Sequence, residues 1–569
     1  MHENFVCMKI PLINPIKKLP ALIFLLILLA SKTYSQTIPV GNYAETIARM
    51  NQLLGISDDL SSFTQHPVNS AFNAKGDSAL QSMIASKNVV PEFKLFGIPS
   101  SVKILPFTWL NEYNSKLPFG YNNGPLYPNV GYQTMITGGV FIKAGLLNIQ
   151  FKPELLHAEN STFLTFADVQ ANYKSTIIPL FFNKINGLDA PERFGPYGLS
   201  YAGMGQSKIT LIYRDIEAGV STENLWWGPG IQNSIMLSNS APGFLHWTFN
   251  SVNPVKTAIG LFEWQLIGGR LDQSGYTPYD PGKLTNYNDN LLYSPKPRVT
   301  RYISAFTANW QPKWIPGFFI GISGNDYMDK DSTYNQISSL KRLVAVFFPA
   351  SNKQNAVIGG DGQKFSYAIN FRQVFPRYNA EIYFEYAKDD HAANLRDFLI
   401  EPEDATAYTF GAGRLFKLTG DQFLQLKMEL THLQGPANFL VRSESSWYEH
   451  GVNPRDGYTN EGRYLGAGIG PGSNSLMFDI SYIRGLSSFG IKFERFVHDN
   501  DLYYFAFAGT GNFVSNWVDF SNTFYANIKL KKFLISAEYT PISTLNYEYL
   551  QQNDISNIHA SITLTYFFD

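Results

Sequence analysis

In a chain of 569 residues, 15% are aromatic and only 16% charged, whereas soluble proteins average about 25% charged residues. The 44 Phe and 33 Tyr suit a lipid-facing band with aromatic girdles better than a string of soluble domains. A formal net charge of -1 without a basic cluster excludes nucleic acid as a partner on electrostatic grounds.

The chain opens with a leader. Its only long apolar run, 19–30, is about a dozen residues, and crossing a bilayer takes about 20. Lys17 and Lys18 precede the run and Thr33-Tyr34-Ser35 follows it, so 1–35 reads as a signal peptide cleaved before Gln36, with Met8 as an alternative start. Cys7 lies upstream of the apolar core. The mature chain is therefore expected to have neither a disulfide nor a lipid-anchor cysteine. Loss of Lys9, Lys17, Lys18, Lys32 and Glu3 with the leader leaves 41 basic and 45 acidic residues. Export without a spanning helix leaves the periplasm, the outer membrane or the exterior.

Residues 36–95 read as a helical segment. Asn42 followed by Glu45 forms a capping pair, Ile47, Met50, Leu53 and Leu54 share one face, and Gly55 is a C-terminal stop. Asp77 caps a second expected helix with Leu80, Met83 and Ile84 on its buried side.

From 96 to 569 the hydrophobic period becomes two. Phe365, Tyr367, Ile369 and Phe371 alternate with small or polar residues. Ile382, Phe384 and Tyr386 alternate with Glu381, Tyr383 and Glu385, and Leu426, Met428 and Leu430 with Lys427, Glu429 and Thr431. Phe524, Ala526, Ile528 and Leu530 repeat the pattern, as do Ile562, Leu564, Tyr566 and Phe568 at the C-terminus. One face in hydrocarbon and one in a wet interior is the signature of a transmembrane antiparallel β-barrel. The length fits an even strand count of about 16 to 20. Polar connections at 111–131, 273–298, 326–339, 349–364 and 434–463 are too long for periplasmic turns and are expected to face outward.

Two stretches interrupt the alternation. The first is Glu223-Asn224-Leu225-Trp226-Trp227-Gly228-Pro229-Gly230, followed by Met236-Leu237-Ser238-Asn239-Ser240-Ala241-Pro242 and later by Gly268-Gly269-Arg270-Leu271-Asp272. The second is Gly457-Tyr458-Thr459-Asn460 with Gly466-Ala467-Gly468-Ile469-Gly470-Pro471-Gly472-Ser473-Asn474. Together they resemble the Wzi capsule-assembly proteins, outer-membrane barrels that act as lectins for capsular polysaccharide. The chain departs from the family's form at Ile231-Gln232-Asn233 and Gly243-Phe244. The resemblance implies about 18 strands, the segment 36–95 as a periplasmic helical bundle at the barrel mouth, and no enzymatic activity or cofactor.

Two roles fit Trp226 and Trp227. Indole faces stack on sugar rings while each N–H donates; alternatively the pair is a packed wedge, with Gly228-Pro229-Gly230 re-aiming the chain. Candidate glycan contacts are Trp226, Trp227, Asn239 and the loop residues Tyr276, Tyr279, Asp280, Tyr287 and Asp289, whose aromatic faces, amide and carboxylates suit hydroxyl-rich ligands. Asp389-Asp390-His391 and His498-Asp499 are weak catalytic signals, since neighbours on a strand point to opposite faces. Asp326, Asp329 and Asp331 lack the spacing of a calcium loop and read as a solvated acidic turn. The expected protein is a monomer in the outer membrane of a Gram-negative bacterium. Its expected partners are capsular or other surface polysaccharide, outer-membrane lipid and the polysaccharide export machinery. The alternative is an outer-membrane channel for a nutrient or glycan.

Overall fold

The computed structural model describes residues 36–568 apart from 57–60, 70–79, 81–87, 96, 174–176, 279–291, 330–344, 348–362, 390–402, 404, 437–445 and 451–454. Residues 1–35, expected to be a signal peptide, lie outside the described residues, as do Asp77, Met83 and Ile84 of the second expected helix.

Eighteen antiparallel strands close into one barrel. The wall begins at Ile98–Asn114 and ends at Ile555–Tyr566, and these two pair from Phe107↔Tyr566 to Asn114↔His559. Three wall strands are broken by irregularities: Leu147–Phe151 continues as Glu154–Ala158, Leu199–Gly203 as Lys208–Tyr213, and His246–Ser251 as Val255–Thr257. Closure leaves no lipid-exposed sheet edge at the seam, where unpaired backbone groups would be costly in hydrocarbon.

The alternation sorts as the sequence suggests. Glu381, Tyr383 and Glu385 are buried inside the barrel, while Ile382 beside them is 46% exposed on the outside. On the closing strand Ile562 is 56% exposed, whereas Thr565 and then Phe567 turn inward and are buried. A one-residue register slip would exchange the two faces of a strand, so the wet interior and the lipid face together pin the pairing. Trp314, Tyr378, Phe416, Phe489 and Phe533 stand exposed near the short turns and form an aromatic girdle at that end.

Those tight connections, including 145–146, 214–215, 485–486 and 531–532, mark the periplasmic end. Long connections gather at the other end. They are not all irregular: Ile177–Ile185 and Asn500–Phe507 are helices that the sequence reading did not anticipate. Phe181, Phe182, Leu502, Tyr503 and Phe507 join in a small outer core. Such short apolar runs inside a strand-rich chain carry too little periodicity to be assigned from sequence. A second difference concerns 326–339. Asp326 and Asp329 belong to the wall strand Phe318–Asp329, and Asp326 is wholly buried, so the acidic turn expected there is not a turn at these positions. Asp331 lies outside the described residues.

The helix expected after Asn42 runs Tyr43–Leu53. Asn42 caps it by accepting from the Ala44 N–H at 2.9 Å, and the Glu45 carboxylate accepts from the Gly41 N–H at 2.9 Å. Gly55 ends it with φ +68°, a conformation that glycine adopts at little cost. Its apolar face, Ile47, Met50 and Leu53, clusters with Phe319, Val374, Leu415, Ile483, Leu534 and Phe567 of the wall. These wall residues lie toward the periplasmic ends of their strands, so the helix sits in the periplasmic mouth.

Candidate functional site

The lumen is crossed by a second inserted segment. After the short strand Ile216–Ser221 the chain leaves the wall and turns inward, and it rejoins the wall at His246. Within this insertion Trp226 and Trp227 pair with His66 and Gln65, so the plug and the N-terminal segment share a two-stranded ribbon. Trp227 is wholly enclosed, and its indole N–H donates to Gln265 Oε1 at 2.9 Å. Trp226 is 6% exposed and donates to the Gly228 carbonyl at 3.2 Å. Neither indole presents an open face, so the stacking platform is not found at this pair; the structure uses it as packing. A Cβ on Gly230 would lie 1.9 Å from the Asn233 carbonyl, which is why no side chain fits at this bend.

The two stretches singled out in the sequence meet here. Tyr448 Oη donates to the Ile235 carbonyl at 2.9 Å and Tyr458 Oη to that of Met236 at 2.8 Å. The Ser238 N–H donates to the Leu465 carbonyl at 2.7 Å. Trp227, Ile235, Met236 and Leu237 then form one core with Leu465, Ala467, Ile469 and the wall residues Ile267, Ile303 and Ala368.

Wall carboxylates fix the plug's backbone. Glu429 accepts from the N–H groups of Ile231, Gln232 and Asn233, at 2.6 Å for Ile231 and 2.7 Å for Asn233, and it also accepts from Tyr383 Oη at 2.7 Å. Successive N–H groups converging on one anion make a favourable nest. At Glu381 three parts of the molecule join. Arg49 of the mouth helix and Arg372 of the wall both bind its carboxylate at 2.8 Å, and Arg49 also donates to the Pro229 carbonyl at 2.9 Å.

Two cavities flank this barrier. The one toward the periplasm, about 530 Å³, is lined by Arg49, Glu112, Glu154, Asn239, Lys427 and Asp479 among others. Asn239 donates to the Asn122 carbonyl at 2.8 Å. The one beneath the outer loops, about 350 Å³, has an aromatic wall of Trp517, Tyr547 and Tyr549 and faces Glu192, Asp499 and Glu548. His498 lies flat against Trp517, with ring centroids 3.7 Å apart, and is held to Asp519 at 2.9 Å. Burial pushes the Glu192 carboxyl up to about 7 and that of Asp499 up to about 8. Aromatic side chains and carboxylates thus line this cavity together, with one face of Trp517 covered by His498 and with Tyr547 and Tyr549 almost wholly buried.

The sequence candidates are not brought together. Trp226 and Trp227 are packed, Asn239 lines the lower cavity, and Tyr276 lies edge-on to Phe194 near the surface. Tyr279, Asp280, Tyr287 and Asp289 lie outside the described residues, as do Asp390 and His391. Trp517, Tyr547, Glu548 and Tyr549 were missed. The one available signal was Tyr547-Glu548-Tyr549 standing in the connection between two alternating strands.

No family model matches this chain, and no curated protein does at the sequence level. Among solved structures the fold is similar to Wzi of Escherichia coli, an outer-membrane protein involved in group 1 capsule assembly and described as a carbohydrate-binding β-barrel. That similarity has a TM-score of 0.57 at 10% identity, over 94% of this chain and 100% of that one. OccAB4 of Acinetobacter baumannii matches with a TM-score of 0.36 at 9% identity, over 84% of this chain and 98% of its own. OccK7 of Pseudomonas aeruginosa matches with a TM-score of 0.37 at 9% identity, over 82% of this chain and 98% of its own. The chain is thus an 18-stranded β-barrel of the Gram-negative outer membrane.

Proposed function

We propose that this barrel holds a surface polysaccharide at the outer membrane, as a Wzi-type capsule lectin, and neither cuts, builds nor imports it. The observation that carries this reading is the closure of the lumen at two levels. The mouth helix and the inserted plug are tied through Arg49 to Glu381 and to Pro229, while the aromatic and acidic cavity lies on the far side, under the outer loops. A diffusion channel needs an unobstructed path, and the paired buried ions here oppose one. Support also comes from the two sequence stretches that resemble the Wzi proteins, which the fold joins into a single plug. The partners on this reading are a capsular or related polymer, outer-membrane lipid and the machinery that exports the polymer, with the barrel acting as a monomer.

Weak contacts to successive sugars add through multivalency. Purified protein should therefore retain surface polysaccharide extracted from the parent strain far better than the same material hydrolysed to its repeat units. Equal retention of polymer and repeat unit, or of neither, would remove this reading in favour of a channel.

A further inference from the structure

The outer cavity has an imbalance of charge that a ligand would correct. Its cations are engaged: Lys184 with Glu449 at 3.4 Å and Ser446 at 2.7 Å and Arg463 with Glu461 at 3.2 Å, while the His498 ring is held to Asp519 at 2.9 Å. Its anions are not. Glu192 accepts a single hydrogen bond, from the Phe166 N–H at 2.8 Å. Glu548 lines the cavity at 6% exposure, and its carboxylate has no hydrogen-bond or ion-pair partner among the described residues. A buried carboxylate without a partner is costly unless something else supplies the donors.

The backbone around Glu548 is left-handed. It holds φ 53° and ψ 39°, Tyr549 next to it has φ 60°, and Asn546 has φ 51°. Left-handed conformations at Glu and Tyr are strained and persist where the surroundings over-determine the backbone. The residue so held is Glu548, which lines the cavity together with Tyr547, Tyr549 and Trp517.

Resting on the polysaccharide-binding reading, we propose that this cavity is a subsite for an amino sugar, whose ammonium group is received by Glu548 and Glu192 while its ring lies among the aromatic side chains of the lining. Burial holds both carboxyls above the usual carboxylate range, and Glu192 adds to the effect at Glu548. An ammonium within about 4–6 Å would favour their charged forms. A uronic acid brings no cation to offset the burial of these two carboxyls.

The test uses the full chain folded in detergent and three probes: a fully deacetylated chitosan tetramer, its N-acetylated counterpart and a galacturonic acid tetramer. Binding is read by calorimetry below the pKa of the sugar amine. The deacetylated probe should bind at least tenfold more tightly than the N-acetylated one, the uronate should not bind, and Glu548→Gln should erase the preference. Should Glu548→Gln fail to fold, Glu192→Gln is read instead and should cut the preference at least threefold. Equal binding of the two chitin-type probes with no effect of either variant would overturn the amino-sugar subsite. In that outcome polymer retention by the same preparation would leave the polysaccharide reading standing. Preferred binding of the uronate, or binding of none of the probes by protein that still retains polymer, would also overturn it. Loss of polymer retention as well would remove both.

Discussion

Arg49 of the mouth helix meets Glu381 of the barrel wall at 2.8 Å, and both side chains are almost wholly out of solvent. Because Arg372 binds the same carboxylate, Glu381 neutralises two buried guanidinium groups that belong to different parts of the chain. Breaking a buried pair leaves an uncompensated charge and costs about 3–5 kcal/mol. Glu381→Ala should therefore release the N-terminal segment while the barrel stays folded. Limited proteolysis should cut within 36–69, and ion conductance across planar bilayers should rise above that of the wild type. An unaltered digestion pattern would show that the apolar cluster alone holds the helix.

Trp227 is the centre of the plug core. Truncation of a buried aromatic costs about 3–5 kcal/mol, so Trp227→Ala should lower the temperature at which the folded barrel loses its fast mobility on gels. Normal heat resistance with lost glycan binding would instead return the pair to the role of a sugar platform.

At Glu429 the cost has another origin. Replacement by Ala strands the N–H groups of Ile231, Gln232 and Asn233 inside the barrel, at about 1–3 kcal/mol for each donor left unsatisfied. Glu429→Gln retains one carbonyl acceptor and should fall between wild type and Glu429→Ala in the same heat-modifiability measurement.

The lipid face has its own test on the closing strand. Lys at the bilayer midplane of a barrel costs about 2–4 kcal/mol. Ile562→Lys, at an outward position 56% exposed, should lower the folding free energy in lipid vesicles by a value in that range. The neighbouring Thr563 faces the lower cavity, and Thr563→Lys should cost much less. Equal costs would contradict the register.

The outer loops should respond to pH. Burial raises Asp499 to about 8, while Lys184, Glu449 and Asp501 face it across the loops. A carboxyl raised above its unfolded value of about 4 contributes stability that is fully present below that value and lost as pH rises through the folded one. Hydrogen exchange in the helix Asn500–Phe507, corrected for intrinsic rates, should therefore quicken as pH climbs toward about 8. In Asp499→Asn, which keeps the cap to the Leu502 N–H, that dependence should flatten.

The barrel was legible because its signal is strictly periodic. Glu381, Tyr383 and Glu385 against Ile382, Phe384 and Tyr386 sort by face with no knowledge of the partner strand. The mouth helix was legible through local caps, Asn42 and Glu45. The plug was visible only as an interruption, since the contact between Trp227 and residues near Leu465 joins positions far apart in the chain. The outer cavity was least legible of all. Glu548 and Glu192 share it because the loops fold over one another, and the left-handed backbone at Glu548 follows from that packing and not from its own residue type.

The most direct measurement of the central claim is the ratio of cell-attached to released polysaccharide in a strain lacking this protein. Total synthesis should be unchanged while the released share rises severalfold, and Glu381→Ala should restore attachment only in part. An unchanged ratio would contradict retention, and loss of polymer from both fractions with polymer trapped in the periplasm would identify the barrel as a conduit.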